Sequence, residues 1–578
     1  MDEICRSLQA WKEPCMREKR WILPEKPPDW VEAALADYPP IHRQILFRRG
    51  ITSATQAERF LAGSEPEVSD PMLLNGMDRA VRRLAEGIQS RERIVIYGDY
   101  DADGVTASAL LVEGLEKLGA SVKVYFPNRI DEGYGLNREA MKLLAGQGAQ
   151  LIVSVDCGMR ALDEVELANR LGLDVIITDH HHPGASLPPA YAIVNPLQPG
   201  DAYPFKSLAG VGLAYKLLMA LMDHLGQAPA DGGLDLVALG TVADLATLEG
   251  ENRYLVRQGL RAINATRRPG LLALMETSGH KPGHVDAAAI GFGLGPRINA
   301  AGRIESAYRA LELLLAHDMA SAQPLAEALD AANRKRQALT QLVVERAESK
   351  WQDREPPNVL LSADPEFHEG VVGLAAARLA ERFHRPAIVG RMGERSTRAS
   401  ARSIEGFHIT EALEECGHLL LRFGGHAAAA GMEIPNENLP MLEEKLELLF
   451  EERADPSKLD PELQIDAVVS FEDLVGGLLE FQDNLAPFGM GNPMPALCTP
   501  EVEVMSKRTV GAGGKHLKLM LKQGGRPFDA IAFRMGDRTG GLPGRIDVVY
   551  HLERNHYLGY ETLQLNVQDL RPAASLEA

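Results

Sequence analysis

Cysteine is scarce and scattered, with five residues (Cys5, Cys15, Cys157, Cys416, Cys498) in 578. An odd, unclustered set argues against a disulfide framework and a thiolate zinc site, and fits a reducing cytoplasm. No run approaches the roughly 20 apolar residues of a bilayer span. The opening M-D-E-I-C has neither a basic nor an apolar signal region. The expectation is a cytoplasmic protein with no membrane partner. Positive charge is in deficit, with 61 Lys and Arg against 80 Asp and Glu and a net charge of −19. That counts against a broad basic footprint for nucleic acid. It does not exclude one, because carboxylates that hold cations count as negative here. One local basic stretch runs from Arg378 to Arg402, with Arg378, Arg382, Arg385, Arg391, Arg395, Arg398 and Arg402 against Glu381 and Glu394. Its bland reading is a solvated helix face. Repeats and low-complexity tails are absent, and the length suits three or four domains.

What is present begins with I-V-I-Y-G-D-Y-D-A-D-G-V-T-A, Ile94 to Ala107. A β-branched run ends in Asp99, Asp101 and Asp103, closed by Gly104, which reads as strand, loop and helix. Open α/β sheets build their sites at such strand ends. Alternation points the three carboxylates the same way if the chain stays extended. Three like charges so close repel, unless cations sit among them, and oxygen ligands suit Mg²⁺ or Mn²⁺.

Alternating elements follow. Strands are expected at Val122–Phe126, Leu151–Val155 and Val175–Thr178, and helices at Ala107–Leu118, Arg138–Ala145 and Ala161–Leu171. Leu187–Pro199 reads as a Pro-rich loop, and helices return at Gly212–Leu225 and Leu234–Ala246. Strands alternating with helices of this length predict a doubly wound parallel sheet. A long helix is expected over Ala320–Gln352, then a second α/β unit with strands at Val359–Leu361 and Ala387–Val389. Five short strands after about Asp460 suggest an OB-like barrel. Residues 1 to about 50, with Trp11, Trp21 and Trp30, read as an irregular arm packed through its aromatic rings. The expected division is 1–70 for the arm and helices, 71–300 for a catalytic α/β domain, and 301–354 for connecting helices. A substrate domain at 355–455 and a single-strand-binding barrel at 456–578 complete it.

Asp156 in S-V-D-C-G ends another strand, Asp179, His180 and His181 in T-D-H-H-H-P end a third, and Asp244 in G-T-V-A-D-L-A lies at a helix end. Singly these are caps and core residues. Together, at successive ends of a parallel sheet, they describe a dinuclear carboxylate–imidazole site.

The set D-Y-D-A-D-G, V-D-C-G, D-H-H and the Asp244 motif resembles the DHH phosphoesterase superfamily, and within it the bacterial single-strand-specific 5′→3′ DNA exonuclease branch. E-G-Y-G-L (132–136), L-A-G-V-G (208–212), P-R-I-N-A-A-G-R (296–303), H-E-G-V-V-G (368–373), G-G-H-A-A-A-A-G (424–431) and P-F-G-M-G-N-P (487–493) carry the same resemblance. It implies catalytic residues Asp99, Asp101, Asp103, Asp156, His180, His181 and Asp244. Asp101, Asp103, Asp156, His180 and Asp244 take the positions of metal ligands. Asp99 stands where smaller members use a His, and His181 where a residue contacts the scissile phosphate. Arg303 and His426 correspond to substrate-phosphate contacts, and Arg129, Ser400 and Arg402 to contacts near a 5′ end. Gly424 and Gly425 would let backbone approach a phosphate. No role falls to His182. The implied cofactors are two divalent cations, Mn²⁺ or Mg²⁺. The implied partners are single-stranded DNA with a 5′ end, single-strand-binding protein and a helicase, and the implied setting is the bacterial cytoplasm.

Two alternatives share the motifs. Small-substrate phosphodiesterases of the superfamily lack the C-terminal barrel. Non-catalytic replication scaffolds lose metal ligands, and here the set is complete. A structural α/β protein with accidental acidic loops would not place them on successive strand ends.

Overall fold

The computed structural model describes residues 18–63, 68–129, 132–228, 232–352, 354–557 and 560–573, the side chains of 556–561 excepted. The chain divides into two compact units. One joins Gly63–Gln337 with Pro487–Pro493; the other joins the chain up to Ala62 with Ala338–Ala486 and Met494–Ala578.

In the first unit, β-branched runs form β1 (Arg93–Gly98), β2 (Ser121–Tyr125), β3 (Leu151–Val155), β4 (Asp174–Thr178) and β5 (Ala192–Val194). All pair in parallel, in the order β2-β1-β3-β4-β5. The helices that pack on this sheet or lead into its site are α1 (Met77–Gln89), α2 (Ala102–Lys117), α3 (Arg138–Gly146), α4 (Leu162–Arg170), α5 (Gly210–His224) and α6 (Leu234–Ala243), and further helices follow from Gly250. The period of two sorts the strand residues between two cores. Ile94, Ile96, Val153, Val155 and Ile176 pack with α1, α2, α5 and α6. Val95, Tyr97, Ile152, Val175 and Ile177 pack with α3 and α4. The sheet is therefore doubly wound, as the alternation predicts. β5 lies in the stretch that reads as a Pro-rich loop. Three residues near prolines carry no periodicity, and only pairing with β4 makes them a strand. From β1 the chain crosses to β2 on one side and later to β3 on the other. This switch opens a crevice at the carboxyl ends of β1 and β3.

In the second unit a five-stranded sheet runs in the order Arg422–His426, Ala429–Pro435, Ser396–Arg402, Ala387–Met392, Leu360–Asp364. Only the last pair is parallel. The three strands after Ser396 escape sequence reading because Ser, Ala and Gly hide the alternation. The C-terminal strands are Leu497–Val510, His516–Gln523, Arg526–Ala532, Arg545–Tyr557 and Tyr560–Pro572. They close into the expected OB-like barrel. The long first strand pairs at its start with the fourth (Leu497 opposite Tyr550) and at its end with the second (Val510 opposite His516). Bulges within both pairings bend the strand between its two partners.

The N-terminal arm joins this barrel region. Arg20–Ile22 pairs in parallel with Glu462–Gln464. The Trp21 indole donates to Asp569 Oδ2 at 2.8 Å, and the Arg571 guanidinium lies 4.1 Å over its ring. Trp30 is exposed, and Trp11 lies outside the described residues. The long helix runs Met319–Ser349, with Pro324 inside it. Among the described residues no helix is long and apolar enough to cross a membrane.

Candidate metal centre

Asp99, Asp101 and Asp103 meet the crevice by a different route from extended alternation. β1 ends at Gly98, and Asp101 is already the N-cap of α2, its carboxylate accepting from the backbone N–H of Asp103 (2.9 Å) and Gly104 (3.1 Å). Asp103 sits in the first helical turn. The strand-to-helix turn thus separates them. Asp99 and Asp101 group with Asp156, while Asp103 groups with His180 and Asp244, the ligand atoms of each group lying within 4.8 Å of one another. Asp156 also groups with His180 and His181, so it stands between the two clusters.

Each side chain is delivered by a strand or helix end. Asp99, Asp156 and Asp179 follow β1, β3 and β4, and their N–H groups continue the ladder to Val155, Thr178 and Val194 carbonyls. Asp244 caps the C-terminus of α6. Asp156 has φ +60° and Leu245, directly after Asp244, also has φ +60°. Such backbone costs on the order of 1–3 kcal/mol outside glycine and persists only when its surroundings impose it. Asp103 Oδ2 accepts from Gly210 N–H (2.6 Å) and Oδ1 from Val211 N–H (2.8 Å) at the start of α5. A Cβ on Gly210 would lie 2.8 Å from Asp156 Cβ and 2.9 Å from Asp103 Oδ2, which explains the glycine of L-A-G-V-G.

The electrostatics call for cations. Burial, then Asp101, pushes the Asp103 carboxyl up to about 7. Burial, then Asp103, pushes Asp244 up to about 9. Burial and neighbouring carboxylates drive Asp99 and Asp156 well up. Burial, then His181, pushes His180 down to about 4, the neutral state of a metal ligand. Asp99 Oδ1, Asp156 Oδ1 and His180 Nε2 are buried without a hydrogen bond, and His180 Nε2 lies 3.0 Å from Asp156 Oδ1. Orphaned acceptors converging in one place, with a neutral imidazole, fit two divalent cations.

His181 behaves differently. Burial, the largest single effect, lowers its pKa, but the hydrogen bond to Asp179 together with the charges of Asp179, Asp99 and Asp101 leaves it raised. The Nδ1–Asp179 Oδ1 distance is 2.7 Å. Asp179 Oδ2 also accepts from Met159 N–H at 2.8 Å. The Tyr134 hydroxyl lies 3.1 Å from His181 Nδ1 and donates to the Asp156 carbonyl at 2.9 Å. Sequence reading counted Asp179 among the strand-end residues of the dinuclear site, whereas it belongs to none of the ligand groups found among the described residues and instead holds His181. That reading gave Tyr134 no role. It also missed Asn299 of P-R-I-N-A-A-G-R, whose Oδ1 accepts from Ala102 N–H at 2.8 Å and anchors the start of α2.

Arg129 and Arg303 line one cavity of about 170 Å³ with Tyr100, Phe126 and Tyr308. The Arg129 guanidinium lies 4.8 Å from the centre of the Tyr100 ring. Burial, then Arg129 and Arg336, pushes Arg303 down to about 10, so the cavity favours an anion.

In the second unit, sheet register aligns the other candidates. Ser400 and Arg402 lie opposite Gly431 and Ala429, which lie opposite Gly424 and His426. These four candidates therefore share one face of the sheet, and Gly425 points to the other. A Cβ on Gly373 would lie 3.4 Å from Ser400 Oγ and Arg402 Nη2. The basic stretch is not one continuous patch. Arg382 donates to Glu348 at 2.8 and 2.9 Å, Arg398 to Glu369 at 3.1 Å, and Arg385 is buried.

In the barrel, Tyr550 is core, its hydroxyl 2.8 Å from Thr499 Oγ1. OB-like barrels bind single strands by aromatic stacking beside basic residues, and of the aromatic residues the sequence offers for this, Phe533, Tyr550, His556, Tyr557 and Tyr560, the burial of Tyr550 removes it. Phe533 is 53% exposed, and the side chains of the last three lie outside those described. Of the basic candidates beside them, Lys507 donates to the Leu542 carbonyl and Lys518 to Asp529. Arg508 and Lys515 are exposed.

The raised carboxyls have a measurable consequence. Unfolded carboxyls titrate near 4, so the metal-free fold keeps this stability below about pH 4 and loses it as pH rises through about 7 and 9. We expect the Tm in EDTA to fall between pH 6 and 8.5, and the Mn²⁺-induced rise in Tm to grow over the same range. A Tm rise independent of pH would refute this account of the cluster.

Comparison with known proteins agrees with the geometry. Family models match at residues 93–241 (DHH family, N-terminal domain), 357–452 (DHHA1 domain) and 465–569 (RecJ OB domain). The single-stranded-DNA-specific exonuclease RecJ of Bacillus subtilis is 39% identical over 92% of this chain and 68% of its own length. RecJ of Salmonella typhimurium is 37% identical over 93% and 96%. The crystal structure of RecJ from Thermus thermophilus in complex with Mn²⁺ superposes with a TM-score of 0.83 at 32% identity, covering 96% of this chain and 80% of that one. Its Mg²⁺ complex gives 0.78 at 31%, covering 97% and 79%. With 37% identity over 93% of this chain and 96% of the Salmonella protein, the protein belongs to the RecJ family of DHH phosphoesterases.

Proposed function

We propose that this chain degrades single-stranded DNA from the 5′ end, releasing mononucleotides by phosphodiester hydrolysis with two divalent cations, Mn²⁺ or Mg²⁺, in DNA repair and recombination. The observation that carries it is the paired cluster at the sheet's switch point, where Asp156 groups with Asp99 and Asp101 and also with His180, the imidazole of the other half. Asp99, Asp101 and Asp156 would hold one cation, and Asp103, His180 and Asp244 the other. Cations held there supply Lewis acidity to a phosphodiester and its attacking water.

The chain's own groups do the rest. Asp179 engages His181 Nδ1, leaving Nε2 to donate to a phosphate oxygen. Its raised pKa keeps that proton in place. Arg129 and Arg303 give a 5′-terminal phosphate bidentate donors. Relief of their mutual repulsion favours its entry. Ser400, Arg402, Gly424 and His426, on one face of their sheet, would contact the backbone of the strand. The barrel adds a stacking surface, where base–aromatic contacts contribute about 1–3 kcal/mol each. Single-strand-binding protein and a helicase are the partners such an activity calls for.

Single-stranded DNA labelled at either end, digested with Mn²⁺, Mg²⁺ or EDTA, tests the reading. Mononucleotides released from the 5′ end, with metal and not from blunt duplex, are expected. Cleavage of dinucleotides or pyrophosphate alone would replace the substrate. For the barrel, Phe533→Ala is expected to weaken single-strand binding roughly five- to hundredfold and leave dinucleotide hydrolysis unchanged. Equal loss of both would exclude Phe533 as a stacking residue.

A further inference from the structure

The motif P-F-G-M-G-N-P has no part in the chemistry above, yet its place in the fold is unusual. Pro487–Pro493 groups with the catalytic unit, while the chain on both sides, to Ala486 and from Met494, belongs to the other. The segment forms a self-locked turn. Gly489 N–H donates to the Asn492 carbonyl (2.9 Å) and Asn492 N–H to the Gly489 carbonyl (3.1 Å). The buried Asn492 amide donates to the Pro487 carbonyl at 2.8 Å.

The turn rests on the loop that follows Asp244. Leu248 N–H donates to the Met490 carbonyl at 2.7 Å. A Cβ on Gly489 would lie 2.7 Å from Leu248 Cδ1. One on Gly491, which has φ +78°, would lie 3.1 Å from the Glu249 side chain and 3.3 Å from Thr247 Cβ. A larger residue at 489 would have to displace the Leu248 side chain, and at 491 it would crowd Glu249 and Thr247 in a backbone conformation that favours glycine.

Asp244 is the ligand most in need of such support. Asp101 and Asp103 each accept two backbone N–H groups. Among the described residues, the Asp244 carboxylate has no comparable anchor. Its position depends on the backbone beneath it, which turns immediately through the left-handed Leu245. A strained link of this kind holds only if its far end is fixed. Ala246 N–H to Thr241 (3.2 Å) and Asn252 Nδ2 to Thr247 (3.1 Å) fix part of it. The turn's bond to Leu248 completes the support.

We propose that the turn Gly489–Asn492 is a clamp that positions Asp244 as a metal ligand. Its residues are positioning residues, touching neither cation nor substrate. The proposal rests on the metal-centre reading and deepens it.

Mn²⁺ binding to the full-length protein, followed by electron paramagnetic resonance of the free ion and by calorimetry, tests it without reference to turnover. Asn492→Ala and Gly491→Val are compared with the natural chain and with Asp244→Asn. Both clamp variants are expected to weaken one of two Mn²⁺ sites tenfold or more, the same site that Asp244→Asn removes, and to leave the other within twofold. At saturating DNA the half-saturating Mn²⁺ concentration should rise in parallel, while KM for DNA stays fixed and turnover recovers at high Mn²⁺. Unchanged sites, or equal weakening of both, would overturn the clamp. If the natural chain binds two Mn²⁺ and cuts no single-stranded DNA, the exonuclease reading fails while the clamp is still decided by binding.

Discussion

Asp156→Asn is expected to lower single-turnover cleavage of single-stranded DNA on the order of a thousandfold or more, with DNA binding changed less than threefold. Asp156 groups with Asp99 and Asp101 on one side and with His180 and His181 on the other. Its buried Oδ1 has no hydrogen-bond donor, so the amide loses charge without breaking a bond. Asparagine is isosteric and is one of the few residues that tolerate the φ of +60° found there. The variant should therefore fold. Its metal-free form should be the more stable, because it removes a carboxylate whose neighbours Asp103, Asp101, Asp99 and Asp244 oppose its ionisation. Mn²⁺-dependent turnover above a tenth of the natural rate would sink the assignment of Asp156 as the shared ligand.

Asp179→Asn should act on a different step. In the natural chain Asp179 accepts from the His181 backbone N–H at 3.0 Å, its ring Nδ1 at 2.7 Å, and Met159 N–H at 2.8 Å. An amide has one oxygen, so one of these donors must face an NH₂ group. The imidazolium loses the charge that raises its pKa. If protonated His181 donates to the phosphate, turnover near pH 8 should fall on the order of a hundredfold. The alkaline limb of the rate profile should move to lower pH, since the variant holds its proton only in more acidic solution. Mn²⁺ affinity should stay within about threefold, as Asp179 belongs to none of the ligand groups. A rate loss with an unmoved alkaline limb would reduce Asp179 to a packing role.

The parallel sheet was legible because its strands are β-branched runs at ordinary spacing, and Ile94–Ile96, Leu151–Val155 and Val175–Thr178 all pair as strands. The candidate metal-binding cluster was legible as a set of residue types at strand ends, but its internal grouping was not. Three Asp residues at alternate positions suggest one face of an extended chain. The helix that starts at Ala102 redirects Asp103 toward His180 and Asp244. Support by neighbours was harder to read. The roles of Asn299 and Asn492 depend on backbone groups 197 and 5 residues away, and no local pattern announces them. In the second unit, small residues on Ser396–Arg402 and Ala429–Pro435 removed the hydrophobic alternation by which strands are recognised.

The pairing of Arg20–Ile22 with Glu462–Gln464 sets an order on how the molecule is made. The first strand leaves the ribosome long before its partner exists. At roughly 5–20 residues per second, the intervening stretch takes about 20–90 s to synthesise. During that time the catalytic sheet, whose strands lie within one contiguous stretch, has all it needs to form. Trp21 has not yet met Asp569 or Arg571. The nascent chain thus carries Trp21 unpartnered while the catalytic sheet is already able to form, and late-translated residues, Asp569 and Arg571, tie down an early one.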